Sequence, residues 1–168
     1  MKKWLGFGIA LLVVAVISGC GEKLTEEQLR AKALDYENKE QWDQVIKVYE
    51  QLVKKFPNSP KSDQNLYQLS GLYASNSKNF LKSIEAYKTL IEKYPESQLV
   101  IQAQFMIGYR YANDLNDLEN ARAAYNEFLQ KYPEHELAPS VQWELDHLGQ
   151  DISEIELNFG KEETEKKK

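Results

Sequence analysis

A chain of 168 residues that is 28% charged, 42% hydrophobic and 11% aromatic has the length for one domain or one repeat array, and too much core material for a disordered segment. Its formal charge of −5 and pI near 5.2 exclude a nucleic-acid surface, which needs concentrated Lys and Arg. A single cysteine closes no intrachain disulfide and supplies no cysteine-rich zinc site.

The first predicted element is residues 1–19. Lys2 and Lys3 precede an apolar run from Trp4 to Ile17, and Ser18, Gly19 and Cys20 follow. As a helix this run reaches about 21 Å, short of the roughly 30 Å hydrocarbon core of a bilayer. A basic start, a short apolar centre and small residues at the end compose a secretory signal peptide, with an uncleaved N-terminal anchor as the alternative. Ile17-Ser18-Gly19-Cys20 resembles the lipobox of bacterial lipoproteins. That resemblance implies cleavage before Cys20, acylation of its thiol and amino group (palmitate among the chains), and membrane attachment through Cys20. Gly21, standing where an aspartate would imply inner-membrane retention, points to the outer membrane. Cleavage takes Lys2 and Lys3 with it and leaves 149 residues, with 19 basic against 26 acidic side chains, a balance of −7. Residues 20–24 are then a lipid-anchored linker.

From residue 25 the chain repeats. Phe56-Pro57, Tyr94-Pro95 and Tyr132-Pro133 are aromatic-proline pairs 38 residues apart. The same step aligns Tyr49, Tyr87 and Tyr125; Leu52, Leu90 and Phe128; Lys55, Lys93 and Lys131; and Leu29, Tyr67, Phe105 and Trp143. First helices are predicted at 25–39, 60–76 and 98–114. Thr25 and Gln28 form a capping box for the first, and Ser59-Pro60 supplies a capping hydroxyl and a first-turn proline for the second. Each second helix carries an apolar face at spacings of three and four, for example Val45, Tyr49, Leu52 and Phe56, and ends before its proline. A closing helix is predicted at 139–148, stopping at Gly149. Helix pairs at a fixed period cannot bury an apolar face alone, so they stack. The expected fold is all-α, over a repeat domain at 25–149. The tail, 150–168, carries Ile152, Ile155, Leu157 and Phe159 and then a charged end, Lys161 to Lys168, expected to be disordered.

No reactive constellation accompanies the repeats. His135 and His147 offer no metal-ligand spacing, and His147 beside Asp146 reads as a solvated helix-end pair. The sequence has no nucleophile elbow, phosphate-cradling glycine loop or dinucleotide fingerprint. Asp114, Asn116, Asp117, Glu119 and Asn120 cluster oxygens, but Leu118 and Glu119 occupy the fifth and sixth positions of a would-be EF-hand loop. They read as a turn in which Asn116 or Asp117 caps the next helix. Gly71 and Gly108 lie inside helices, where close helix packing is the usual reason. The expectation is a protein with no enzymatic activity, cofactor, metal or small-molecule substrate; a hydrolase or metal enzyme is the alternative from another class.

The second-helix pattern Ser83, Tyr87, Leu90 and Pro95, repeated as Ala121, Tyr125, Phe128 and Pro133, resembles the tetratricopeptide repeat (TPR) family. Its first-helix signature maps onto Ile107, Gly108 and Tyr111 and onto Leu69, Ser70 and Tyr73, while Ala31, Lys32 and Asp35 depart from it. The resemblance implies a TPR-like right-handed α-solenoid of three helix pairs plus a C-terminal capping helix. A lipobox followed by such repeats resembles the BamD-type lipoproteins of outer-membrane protein assembly. It also resembles the YbgF-type Tol-Pal-associated proteins, an adaptor linked to peptidoglycan. Either implies a lipid-anchored scaffold facing the periplasm, which binds proteins as extended peptides or helices in a concave groove. The candidate partner-binding residues are Tyr36, Gln64, Tyr67, Gln102, Phe105, Tyr109, Asn113 and Trp143, by repeat register. The aromatic column among them has two readings, core or groove.

Overall fold

The computed structural model describes residues 24–150. Residues 1–19, the lipidation candidate Cys20 and the tail apolar residues Ile152, Ile155, Leu157 and Phe159 lie outside the described residues. Among the described residues the chain is all-helical. Its elements are α1 (Glu26–Asn38), α2 (Trp42–Lys55), α3 (Ser62–Ser75), α4 (Phe80–Lys93), α5 (Val100–Tyr109) continued by a π-helical turn (Arg110–Asp114), α6 (Leu118–Lys131) and α7 (Ala138–Asp146). No described helix is long and apolar enough to cross a membrane.

Local chemistry sets these boundaries. The Thr25–Gln28 capping box forms in both directions, with Gln28 N–H donating to Thr25 Oγ1 at 3.2 Å and Thr25 N–H to Gln28 Oε1 at 2.8 Å. Asn79 and Asp117 cap α4 and α6, each accepting from the third residue of its helix. Phe56, Tyr94 and Tyr132 end α2, α4 and α6 with nearly one conformation, φ −126 to −132° and ψ 51 to 57°. Each precedes a proline, whose ring excludes the helical conformation from the residue before it. The Tyr94 hydroxyl also donates to the carbonyl of Pro57, tying one inter-repeat turn to the previous one.

Helices pack chiefly on their chain neighbours, and the core is a series of clusters rather than one. Leu29, Ala33, Val48 and Leu52 meet between α1 and α2, and Ile46, Leu69 and Tyr73 between α2 and α3. A larger cluster around Leu66, Tyr87, Leu90, Val100 and Ile107 joins α3, α4 and α5. Tyr125, Phe128, Ala138 and Val141 close the series against α7. Val45, Ser83 and Ala121 are all 0% exposed, as are Leu52, Leu90 and Phe128. These two 38-residue columns are therefore columns of burial, each large apolar member contributing about 1.5–3 kcal/mol.

Four sequence expectations shift. Pro60 lies in a turn before α3 rather than in its first helical turn, and the Ser59 hydroxyl accepts from Lys61 N–H and donates to Glu26. The helix expected at 98–114 starts at Val100 and ends in the π turn, where Leu115 N–H reaches back five residues to the Arg110 carbonyl. The closing helix stops at Asp146, with Gly149 (φ 83°) in the turn beyond it. The two interior glycines part company: a Cβ at Gly108 would sit 2.5 Å from Tyr125 Cδ1 and Cε1, whereas a Cβ at Gly71 would meet nothing within 4 Å. Close packing thus accounts for Gly108 and not for Gly71.

Urea unfolding should separate the two positions. Gly108→Ala should destabilise by about 1–3 kcal/mol through overpacking on Tyr125. Gly71→Ala should stabilise by about 0.5–1 kcal/mol through helix propensity. Equal effects would contradict this assignment.

Candidate functional site

The first-helix aromatic column is graded along the chain. Leu29 is fully buried among Ala33, Val48 and Leu52, so it is core. Tyr67 is half-buried and sets its ring edge-on to Tyr87 of the paired helix, centroids 5.4 Å apart. Phe105, also half-buried, stacks on Tyr125 at 6.4 Å and touches Tyr109 at 6.2 Å. Trp143 is 42% exposed and finds no ring on a second helix among the described residues. It stacks instead on His147, at 4.5 Å and 26°. The column is therefore core at its start and surface at its end, with rings in between that do both.

The other candidates fall into separate clefts. Gln64 and Tyr67 share a cleft of about 470 Å³ with Arg30, Tyr49, Asn65 and Leu99. Tyr109, Asn113 and Trp143 share another of about 490 Å³ with Glu144, His147 and Leu118. Tyr36 lines a third at the α1–α2 turn, beside Trp42 and Asn76, with the Lys32 ammonium 5.6 Å from its ring centre. Gln102 is exposed beside Phe105 on α5, and neither lines one of these clefts. The eight residues thus form an interrupted stripe over several first helices.

Electrostatics distinguish the cleft at α7. Burial pushes the Glu144 carboxyl above its ordinary range, with Asn113 and His147 pulling in the other direction. Burial, and then the charge of Glu144, push the Tyr125 phenol far up, and its buried hydroxyl has no hydrogen-bond partner. Asn113 Nδ2 donates to the Tyr109 carbonyl at 3.3 Å, and the Arg110 guanidinium sits 5.6 Å from the Tyr109 ring centre. Arg110 also pairs with Asp114 at 2.7 Å, which occupies one carboxylate of the former oxygen cluster; Asp117 caps α6 and occupies a second. His147 does not pair with Asp146 as expected. Its ring closes on Trp143, with Nδ1 2.8 Å from the Trp143 carbonyl, because the helix end places it one turn above that ring.

Glu144 and Asn65 were not singled out from sequence, and Tyr125 only as a member of a repeat column. Asn65 is 0% exposed with neither side-chain amide atom paired, in the column where the next repeat has Ala103, also 0% exposed. The column left no clear signal, since it reads Glu27, Asn65, Ala103 and Val141 and its first member is exposed. Glu144 left none, since a glutamate on a terminal helix reads as solvated until the packing is known.

Residues 22–168 match the family model YfiO, described as outer membrane lipoprotein. No curated protein matches the chain.

Because burial raises the folded carboxyl of Glu144 above its unfolded value, the folded state binds more protons across that window, and stability rises as pH falls through it. Glu144→Gln should therefore raise the urea midpoint at pH 7. The gain should shrink as pH falls through the carboxylate range and vanish below it. A midpoint lowered at pH 7 would show that Glu144 carries a stabilising charge instead.

Proposed function

This chain belongs to the YfiO family of outer membrane lipoproteins, and from that premise we propose a lipid-anchored helical scaffold that docks protein partners at the periplasmic face of the outer membrane, in outer-membrane protein assembly. Cys20 is the acylated anchor, placed at the end of the short apolar leader. Several acyl chains, at about 0.8 kcal/mol per buried CH₂, hold such a domain on a bilayer without a spanning helix.

The observation that carries the docking role is the half-exposed ring set on α3 and α5. Tyr67 and Phe105 are held on one side by Tyr87 and Tyr125, and Tyr109 continues the stripe. Gln64 and Gln102 stand exposed beside them. Rings already locked by packing lose little freedom on binding, so they offer contact area at low entropic cost, and the flanking amides can pair with a partner's backbone. An extended segment or short helix laid along α3 and α5 would meet rings and amides alternately. The mechanism is reversible docking, with no bond made or broken.

Photo-crosslinking side chains placed at 64 and 102 in living cells should trap barrel-assembly proteins. Trapped Tol-Pal or peptidoglycan-linked proteins would favour an envelope adaptor instead, and no protein at either position would sink docking on this face. Gln102→Ala with Tyr109→Ala should weaken capture about tenfold, roughly 1.4 kcal/mol, without moving the melting temperature. Cys20→Ala should leave the outer-membrane fraction; if it stays there, Cys20 is not the anchor.

A further inference from the structure

Two grooves in the stack occupy equivalent places in successive repeats and carry different side chains. The first lies between α2 and α4, over α3. There the Tyr73 hydroxyl donates to Glu50 Oε1 at 2.6 Å, and the Lys82 ammonium lies 4.0 Å from that carboxylate and 5.2 Å from the Tyr73 ring centre. Burial first, then the hydrogen bond and charge of Glu50 and the charge of Glu85, hold the Tyr73 phenol above its ordinary value. Acid, phenol and base thus satisfy one another, and Tyr73 is buried.

One step of 38 residues puts Lys88 in the place of Glu50, Tyr111 in that of Tyr73, Asn120 in that of Lys82 and Ala123 in that of Glu85. The acid has become a base, and the residues across from it have lost their charge. Lys88 Nζ donates to the Tyr111 hydroxyl at 3.2 Å and lies 5.5 Å from its ring centre. Among the described residues Lys88 makes no ion pair, and the hydroxyl hydrogen of Tyr111 has no acceptor. Glu92 follows Lys88 by four residues, the less favourable order for a pair along a helix. Asn120 turns back to Asp117, its Nδ2 donating at 2.7 Å. With short side chains at 120 and 123, this second groove stands open as a cleft of about 340 Å³, and Tyr111 is half-buried.

The floor of the cleft carries another unmet group. Gln104 is 4% exposed and makes no side-chain hydrogen bond among the described residues, where the preceding repeat has the apolar Leu66. Ile91, Ile107 and Ala124 make the rest of the lining apolar. Glu92 lines the cleft about 6 Å along α4 from Lys88, and Glu127 lines it already paired with Lys131 at 2.6 Å. Those two carboxylates oppose a polyanion such as a phosphate backbone. They admit a single acid at the Lys88 end and favour a base at the other.

We infer that this groove docks an extended segment of a partner protein through one acidic side chain. The carboxylate accepts from the Tyr111 hydroxyl and pairs with the Lys88 ammonium, completing the acid, phenol and base set that Glu50, Tyr73 and Lys82 form one repeat earlier. The Gln104 amide pairs with the segment's backbone. A basic side chain two residues from the acid, about 6.6 Å along an extended chain, reaches Glu92. These residues are distinct from the rings and amides exposed on α3 and α5, so the inference stands whether or not that stripe docks a partner.

The test selects random heptapeptides on the immobilised full chain, with Lys88→Glu, Lys88→Met and Ala123→Glu chains selected in parallel. Both positions are exposed, so far-UV spectra and melting temperatures should stay those of the parent. Peptides enriched on the parent should carry an acidic residue with a basic one two positions away, and should bind Lys88→Glu and Ala123→Glu about tenfold more weakly. Lys88→Met should lose the acidic preference, and Lys88→Glu should turn it to a basic one. No enrichment, enrichment without an acidic residue, or acidic peptides that bind every chain equally would overturn the proposal. Self-association of the parent that Lys88→Glu abolishes would assign the groove to a second copy and overturn it as well.

Discussion

The structure depends on one constraint: each second helix has to be buried on two sides. Each second helix packs on the first helix of its own pair and on the next first helix, and Val45, Ser83 and Ala121 on them admit no solvent. A lone pair would leave one of those sides wet. Stacking therefore follows from the apolar face itself, and the prolines that end α2, α4 and α6 at one backbone conformation keep the pairs in step.

That constraint also shapes the surface. First helices give one flank to their partner and the other to the preceding pair, so their remaining stripe is the one that reaches solvent. Rings such as Tyr67 and Phe105, anchored on Tyr87 and Tyr125, stand half out of that stripe. The clefts between neighbouring first helices are separate, lined by Gln64 and Tyr67 in one and Tyr109, Asn113 and Trp143 in the other. A partner lying across both would contact the chain at intervals set by the repeat. At the far end of the described residues α7 follows α6 without a paired helix, and there burial raises both the Glu144 carboxyl and the Tyr125 phenol, whose hydroxyl has no hydrogen-bond partner.

Most of the fold was legible because it rests on signals of short range. The Thr25–Gln28 box and the aromatic-proline ends act within a few residues and appear where the sequence places them, and of the two caps it offered for α6, Asn116 or Asp117, Asp117 is the one formed. The two glycines show where such signals stop. Gly71 and Gly108 both lie inside first helices, one position apart in the 38-residue register, yet only Gly108 faces a ring, since Tyr125 arrives from a helix that begins ten residues later. His147 likewise looks paired with its neighbour Asp146 until the helix end turns it onto Trp143. The candidate site was legible as a set of columns and not as a surface.

The amino-acid sequence by itself determined the period, the helix pairs, the proline-set ends of the second helices and the columns that must be buried, because periodicity, capping and proline sterics are properties of adjacent residues. Tertiary structure alone decided how far each column member emerges, from Leu29 at 0% to Trp143 at 42% exposure. Exposure depends on whether another helix stands opposite. A column repeats its residue type every 38 positions, but its cover comes from the neighbouring helix in the stack, and that neighbour changes from one end to the other.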